Sequence, residues 1–204
     1  MNVAGPVAQV LFATAATTSW QATLDDILGS LGPGQEANSI QVVTTRPIGG
    51  LYEGTSRPFL IDIDGDLPWA EMGLLAEVGE TRTFYERVFG LRPNSAVTVS
   101  AMCNQPEDHR ILADIALCLA QRLNGIIDMG GLIVPRHVFL STPDFWNAPW
   151  PAVQSRVQAF TKSMPGTAVA LAYWTASGRE WAWHTVDAAF LQAWLRHPEF
   201  HMIK

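Results

Sequence analysis

Three groups of residues have the types that chemistry uses. Asp62-Ile-Asp-Gly-Asp66 sets carboxylates at alternate positions, as in the opening of a loop whose oxygens converge on a hard cation such as calcium. Such a loop needs glycine at its sixth position and a bidentate glutamate at its twelfth, where this chain has Leu67 and Gly73. No metal is therefore expected there. Cys103, Asn104 and His109 could in principle supply a thiol nucleophile, an orienting amide and a base, but the local sequence matches no cysteine-protease signature. Asp128 stands between Ile126-Ile127 and Gly130-Gly131, where a strand end meets a cleft. It is read either as a functional carboxylate or as an acceptor for the amides of the glycine turn.

The remaining histidines add little. His197 and His201 have the four-residue spacing that suits zinc on a helix, but Pro198 between them breaks that helix, and His184 has no Cys or carboxylate at ligand spacing. No Gly-x-Ser-x-Gly elbow, Gly-x-Gly-x-x-Gly fingerprint, phosphate-binding loop or paired CxxC is present in the sequence. The expectation is a protein that acts by binding, without cofactor or metal and not as an enzyme. Two alternatives stay open: a small hydrolase or transferase with a cleft around Asp128 and His109, and a small-molecule binding module built on the tryptophan-rich C-terminal part.

The elements that must position these residues alternate without the regular βαβ rhythm of a doubly wound sheet. Strands are expected at Val7 to Phe12, Ser39 to Thr45, Phe59 to Ile63 and Ala96 to Met102, and Gly125 to Gly131 reads as a short buried strand ending in a glycine turn, with Leu132 to Leu140 as a further extended piece. Helices are expected at about 17–28, at Glu80 to Phe89, after Pro106, at Ala152 to Ser163 and after Asp187, and a short one within Leu67 to Val78. The helix after Pro106 is the clearest, with Ile111, Leu112, Ile115, Leu119 and Leu123 as its apolar stripe and Asn124-Gly125 as its stop. A hairpin at Thr167 to Thr175 and Arg179 to Thr185 turns at Ala-Ser-Gly. The fold class expected is α+β, a mixed or largely antiparallel sheet flanked by helices, in one domain spanning residues 1–204.

Composition bounds the partners. Of the 204 residues 48% are hydrophobic and 16% charged, well away from the composition of disordered chains. Two cysteines make no disulfide framework, the N-terminus lacks a basic region before its apolar run, and no stretch is long enough to span a bilayer, so a cytoplasmic protein is expected, with no membrane partner. Charge is asymmetric: residues 1–80 hold ten acids and two bases, the remainder nine acids and eleven bases. An acidic half disfavours nucleic acid and favours a basic protein. The contact residues expected from it are Asp62, Asp64, Asp66, Glu71 and Glu77, with Trp69, Trp146 and Trp150 as aromatic anchors. The loop Pro143 to Pro151, with Phe145, Trp146 and Trp150, is either part of that recognition surface or packs back on the domain.

Two segments carry a resemblance. His109-Arg-Ile-Leu-Ala-Asp-Ile-Ala-Leu-Cys-Leu-Ala-Gln-Arg-Leu-Asn-Gly-Ile-Ile-Asp-Met-Gly-Gly131 and the tail Val186-Asp-Ala-Ala-Phe-Leu-Gln-Ala-Trp-Leu-Arg-His-Pro-Glu-Phe-His-Met-Ile-Lys204 resemble a bacterial family found beside secreted polymorphic toxins, such as those of type VI secretion. The resemblance implies an immunity protein, a cytoplasmic antidote that forms a one-to-one complex with its cognate toxin domain, such as a nuclease, and occludes its active site or substrate access. It brings no catalytic residues.

Overall fold

The structure is a computed structural model that describes residues 5–13, 39–43, 56–64, 78–145 and 147–202, together with the helical positions Ala22 and Asp26. Its frame is one seven-stranded sheet. In chain order the strands are β1 (Val7–Phe12), β2 (Ser39–Val43), β3 (Ser56–Asp64), β4 (Ser95–Ala101), β5 (Ile126–Asp128), β6 (Ala168–Trp174) and β7 (Glu180–Val186). The helices are α1 (Val78–Phe89), α2 (Pro106–Leu123), α3 (Arg136–Leu140), α4 (Trp150–Lys162) and α5 (Ala188–Leu195). The sheet order is β2-β3-β4-β1-β5-β7-β6, and every neighbouring pair is antiparallel. The fold is α+β, and the continuous sheet makes it a single domain.

Strand periodicity divides the core between the two faces. Val10, Phe12, Val97, Val99, Ile127 and Val186 pack beneath the apolar stripe of α2 and against Phe190, Leu191 and Trp194 of α5. Leu11, Ala96, Ile126 and Trp183 form the other face with Tyr85 of α1 and with Leu91. A third cluster joins α4 to Leu132, Val138, Phe145 and Trp181. Helix α2 starts where expected: Gln105 is its N-cap, Pro106 lies in the first turn, and Asp108 Oδ2 accepts from the Gln105 N–H at 2.7 Å. It ends at Asn124 in the left-handed region, where the Gly125 N–H reaches Ala120 O at 2.8 Å.

Two expectations need correction. Leu132 to Leu140 is not extended throughout. Pro135 supplies the N-cap of α3, and its carbonyl accepts from Val138 and Phe139 at 3.0 and 3.1 Å, so the chain coils instead of finding a strand partner. Trp150 is not a surface anchor. Pro151 needs no N–H in the first turn of a helix, so α4 begins at Trp150 itself and directs the ring into the third cluster, where it is 3% exposed. Phe145 is buried beside it, so these two rings of the aromatic loop pack back on the domain. The expected helix at 17–28 lies outside the described residues except at Ala22 and Asp26, and Leu67 to Val78 lies outside them except at Val78.

Candidate functional site

β5 leads directly into the site. At its end Asp128 Oδ1 accepts from the Gly130 N–H at 2.8 Å, closing an Asx turn in which Gly130 has φ 66°, a conformation that suits glycine. Gly131 then bonds β7, its carbonyl accepting from the His184 N–H at 2.9 Å, while the His184 ring takes the Ile133 N–H on Nδ1 at 2.9 Å. The glycine turn is thus stapled to the sheet by one buried imidazole. Burial holds His184 neutral, with its pKa lowered to about 3.

Above this floor opens a cleft of about 810 Å³. One wall is apolar and aromatic: Leu132 and Val134, Phe139 and Phe145, and Tyr173 and Trp181 from the β6–β7 hairpin. Phe145 meets Trp181 edge-on at 5.6 Å, and the Arg179 guanidinium lies 4.6 Å over the Trp181 ring. The polar part of the lining is formed by Asn104, His109 and Arg136 with Glu199 and His201 of the C-terminal tail. The Arg136 N–H donates to Glu199 Oε2, tying the start of α3 to that tail.

His109 lines the cleft, whereas Asp128 is buried behind the glycine turn and is not part of its lining. His109 Nε2 meets Asn104 Oδ1 at 3.0 Å, and Nδ1 accepts from the Met202 N–H at 3.0 Å, so both ring nitrogens are engaged in fastening the tail to α2. Neither is left to serve Cys103 as a base in this arrangement. Asp128 is 4% exposed, on the far side of the Gly130 amide, beside the Tyr85 and Thr185 pair whose hydroxyls meet at 2.7 Å. Burial raises its pKa to about 7, opposed by the Gly130 amide and the nearby Trp183 indole. Among the described residues the Trp183 N–H itself has no partner with hydrogen-bond geometry. Asp128 therefore takes the structural role of turn acceptor, one of the two readings open from sequence.

The expected protein-contact residues are placed only in part. Asp62 is exposed on β3, opposite Thr98 of β4, and the backbone of Asp64, two residues on, pairs in register with Ala96. Asp66, Trp69, Glu71, Glu77 and Trp146 lie outside the described residues. His197 and His201 hold no metal geometry: His197 stacks on Trp194 at 4.9 Å, and His201 Nδ1 turns to the Glu199 carbonyl at 2.9 Å. Among the described residues no group of three or more His, Cys, Asp or Glu could hold a metal ion, and no helix is long and apolar enough to cross a membrane. The cleft-lining Val134, Arg136, Phe139 and Glu199 were not anticipated from sequence. The only signal for them was aromatic density after Gly131 and in the hairpin.

Fold and site together define an α+β protein with an antiparallel sheet and a cleft of mixed aromatic and polar lining at the end of strand β5. Within that class the chain belongs to the Family of unknown function (DUF6368), which matches residues 4–204. No curated protein and no solved structure matches it.

Proposed function

We propose that this protein is an immunity protein, which binds a cognate secreted toxin domain one-to-one and blocks its active site or substrate access. The observation that carries the reading is electrostatic: the chain's acids are concentrated before residue 81, and Asp62, at the edge-proximal strand β3, stands exposed on the sheet. A cluster of this sign accelerates capture of a basic partner, as the cleft of a nuclease would be. The resemblance in 109–131 and in the tail points the same way. Trp150, being core, is not among the contacts.

Two measurements test it. The neighbouring reading frame is expected to encode a large secreted protein with a C-terminal toxin domain; a metabolic operon there would sink the reading. With that toxin in hand, Asp62→Lys, Asp64→Lys and Asp66→Lys combined are expected to slow association at low salt by at least about tenfold and to flatten its salt dependence. Unchanged affinity and salt slope would remove the acidic face from the interface.

The cleft favours a second reading, a small-molecule binding module. Its volume lies within the range of ligand pockets, and it offers the usual pairing of an apolar wall with a few polar groups. An amphipathic aromatic sulfonate such as anilinonaphthalene sulfonate is expected to bind saturably and to accept energy from Trp181. Val134→Trp, which fills the cleft, should abolish the signal. Non-saturable binding, or binding indifferent to that substitution, would leave the cleft without a ligand role.

A further inference from the structure

Among the described residues, nothing pairs with the outer edge of the last strand of the sheet. β6 ends the strand order, and among the described residues its ladder is with β7. The bonds Thr175 N–H to Arg179 O at 2.8 Å and Asp187 N–H to Thr167 O at 3.0 Å, at the two ends of that ladder, fix its parity. Odd-numbered residues from 167 to 175 bond to β7. The N–H and C=O groups of Ala168, Ala170, Ala172 and Trp174 consequently point away from the sheet. They find no hydrogen-bond partner among the described residues.

Natural edges are blunted by charge, proline, a bulge or a covering element. The sequence Ala-Val-Ala-Leu-Ala-Tyr-Trp of β6 has no charge and no proline, its register with β7 runs without a bulge, and it ends on Trp174, 52% exposed. From the hydrogen-bond parity and composition of this edge we propose that β6 pairs antiparallel with β6 of a second copy of this chain, joining two sheets into one across a twofold axis at Leu171.

The choice of a second copy follows from self-complementarity. An antiparallel pair centred on Leu171 sets Ala170 opposite Ala172 and Ala168 opposite Trp174, and their reciprocals. All four outward residues then fall in hydrogen-bonded pairs at once, giving about eight interchain bonds. A shift by one residue loses that match. Leu171 meets its own counterpart at the centre on one face, Ala170 and Ala172 meet beside it on the other, and the exposed Trp174 ring lies over Ala168 of the other copy. The chain carries a net charge of −6, which would oppose self-association through most surfaces; this strand brings no like charges together. β2 and β3 lie at the opposite end of the sheet, so the pairing goes beyond the proposed toxin-binding role and leaves Asp62 free for it.

The test is the mass of the free protein across about 1 to 100 µM by light scattering or sedimentation, together with amide exchange along β6. The expected mass at the upper end is twice 22.3 kDa. Ala170→Pro with Ala172→Pro removes two outward donors and no bond to β7, and is expected to give a folded monomer. Should that variant not fold, exchange in the wild type decides. The amides of Ala168, Ala170, Ala172 and Trp174 should slow by about 100-fold or more on dimerisation, while those of Val169, Leu171 and Tyr173 stay protected throughout. A wild type that is monomeric over the whole range overturns the proposal, as does a dimer that survives in the folded double-proline variant. Outward amides that become protected only when a different protein is added also overturn it, because the edge would then serve that partner.

Discussion

Trp194→Ala is expected to lower the unfolding free energy by about 3 to 5 kcal/mol, read as a fall in the urea midpoint at unchanged slope. Trp194 is fully buried between α2 and the tail, and its neighbours are mostly rings: Phe160 edge-on at 5.7 Å, Phe200 at 6.0 Å and His197 stacked at 4.9 Å. Truncation leaves a cavity that these rigid rings cannot fill by small shifts. It also deletes the indole N–H that holds the His201 carbonyl at 3.0 Å, next to Met202, whose N–H caps His109. The loss is a large fraction of the ~5 to 15 kcal/mol that stabilises an ordinary domain. Trp194→Phe, which keeps much of the ring volume, should lose markedly less. A loss below about 1 kcal/mol for the alanine variant would mean that the tail is not part of the core.

The same tail shows what sequence could and could not reveal. The stop of α5 before Pro198 and its cap by Asp187 were legible, since Asp187 Oδ1 does accept from the Phe190 N–H at 2.7 Å. Helix α2 was legible for a similar reason: its signals lie within a few residues of one another. The hairpin of β6 and β7 was legible because its turn, Thr175 to Gly178, lies between two apolar runs, and Gly178 has φ 74°. The sheet order was not. β1 pairs with β4 and with β5, partners about 90 and 120 residues away, and what joins them is packing on both faces, against α2 on one and against Tyr85 and Leu91 on the other.

The cleft was harder still, because its lining comes from the start of α2, the run from Gly130 to Phe145, the hairpin and the tail. No spacing rule joins such segments. Asp128 and Trp150 illustrate the limit from opposite sides. Asp128 was singled out correctly as a strand-end carboxylate, but sequence could not separate a turn acceptor from a functional acid. Trp150 lies in an aromatic loop that sequence leaves open between a recognition surface and a packed one; burial with Phe145, Val153 and Trp181 in one cluster settles it as packed. His184 was passed over because histidines are searched for ligand spacing, whereas its work is to accept one backbone N–H in a dry place.

Asp128 and His184 are expected to give opposite pH dependences of stability that cancel in the wild type and separate on mutation. The folded pKa of Asp128 is raised from 3.8 to about 7, so its contribution is fully present below pH 3.8 and is lost as pH rises through 7. That of His184 is lowered from 6.5 to about 3, so its contribution is fully present above pH 6.5 and is lost as pH falls through 3. Between about pH 4 and 6.5 the folded state holds one proton on Asp128, while the unfolded state holds one on the histidine. The two slopes therefore offset each other. Asp128→Asn leaves the histidine alone: relative to wild type, stability should climb with pH by about 1.4 kcal/mol per unit, or on the order of 3 kcal/mol across the window. His184→Asn, whose amide oxygen can still accept from Ile133, leaves the carboxylate alone. Stability should then fall relative to wild type as pH rises, by an amount on the order of 3 kcal/mol between pH 4 and 6.5. Urea titrations at half-unit pH steps, compared as differences from wild type so that other groups drop out, read both slopes. Parallel profiles for all three proteins would show that neither group is held in the protonation state its burial demands. The glycine turn beneath the cleft would then rest on something other than this pair.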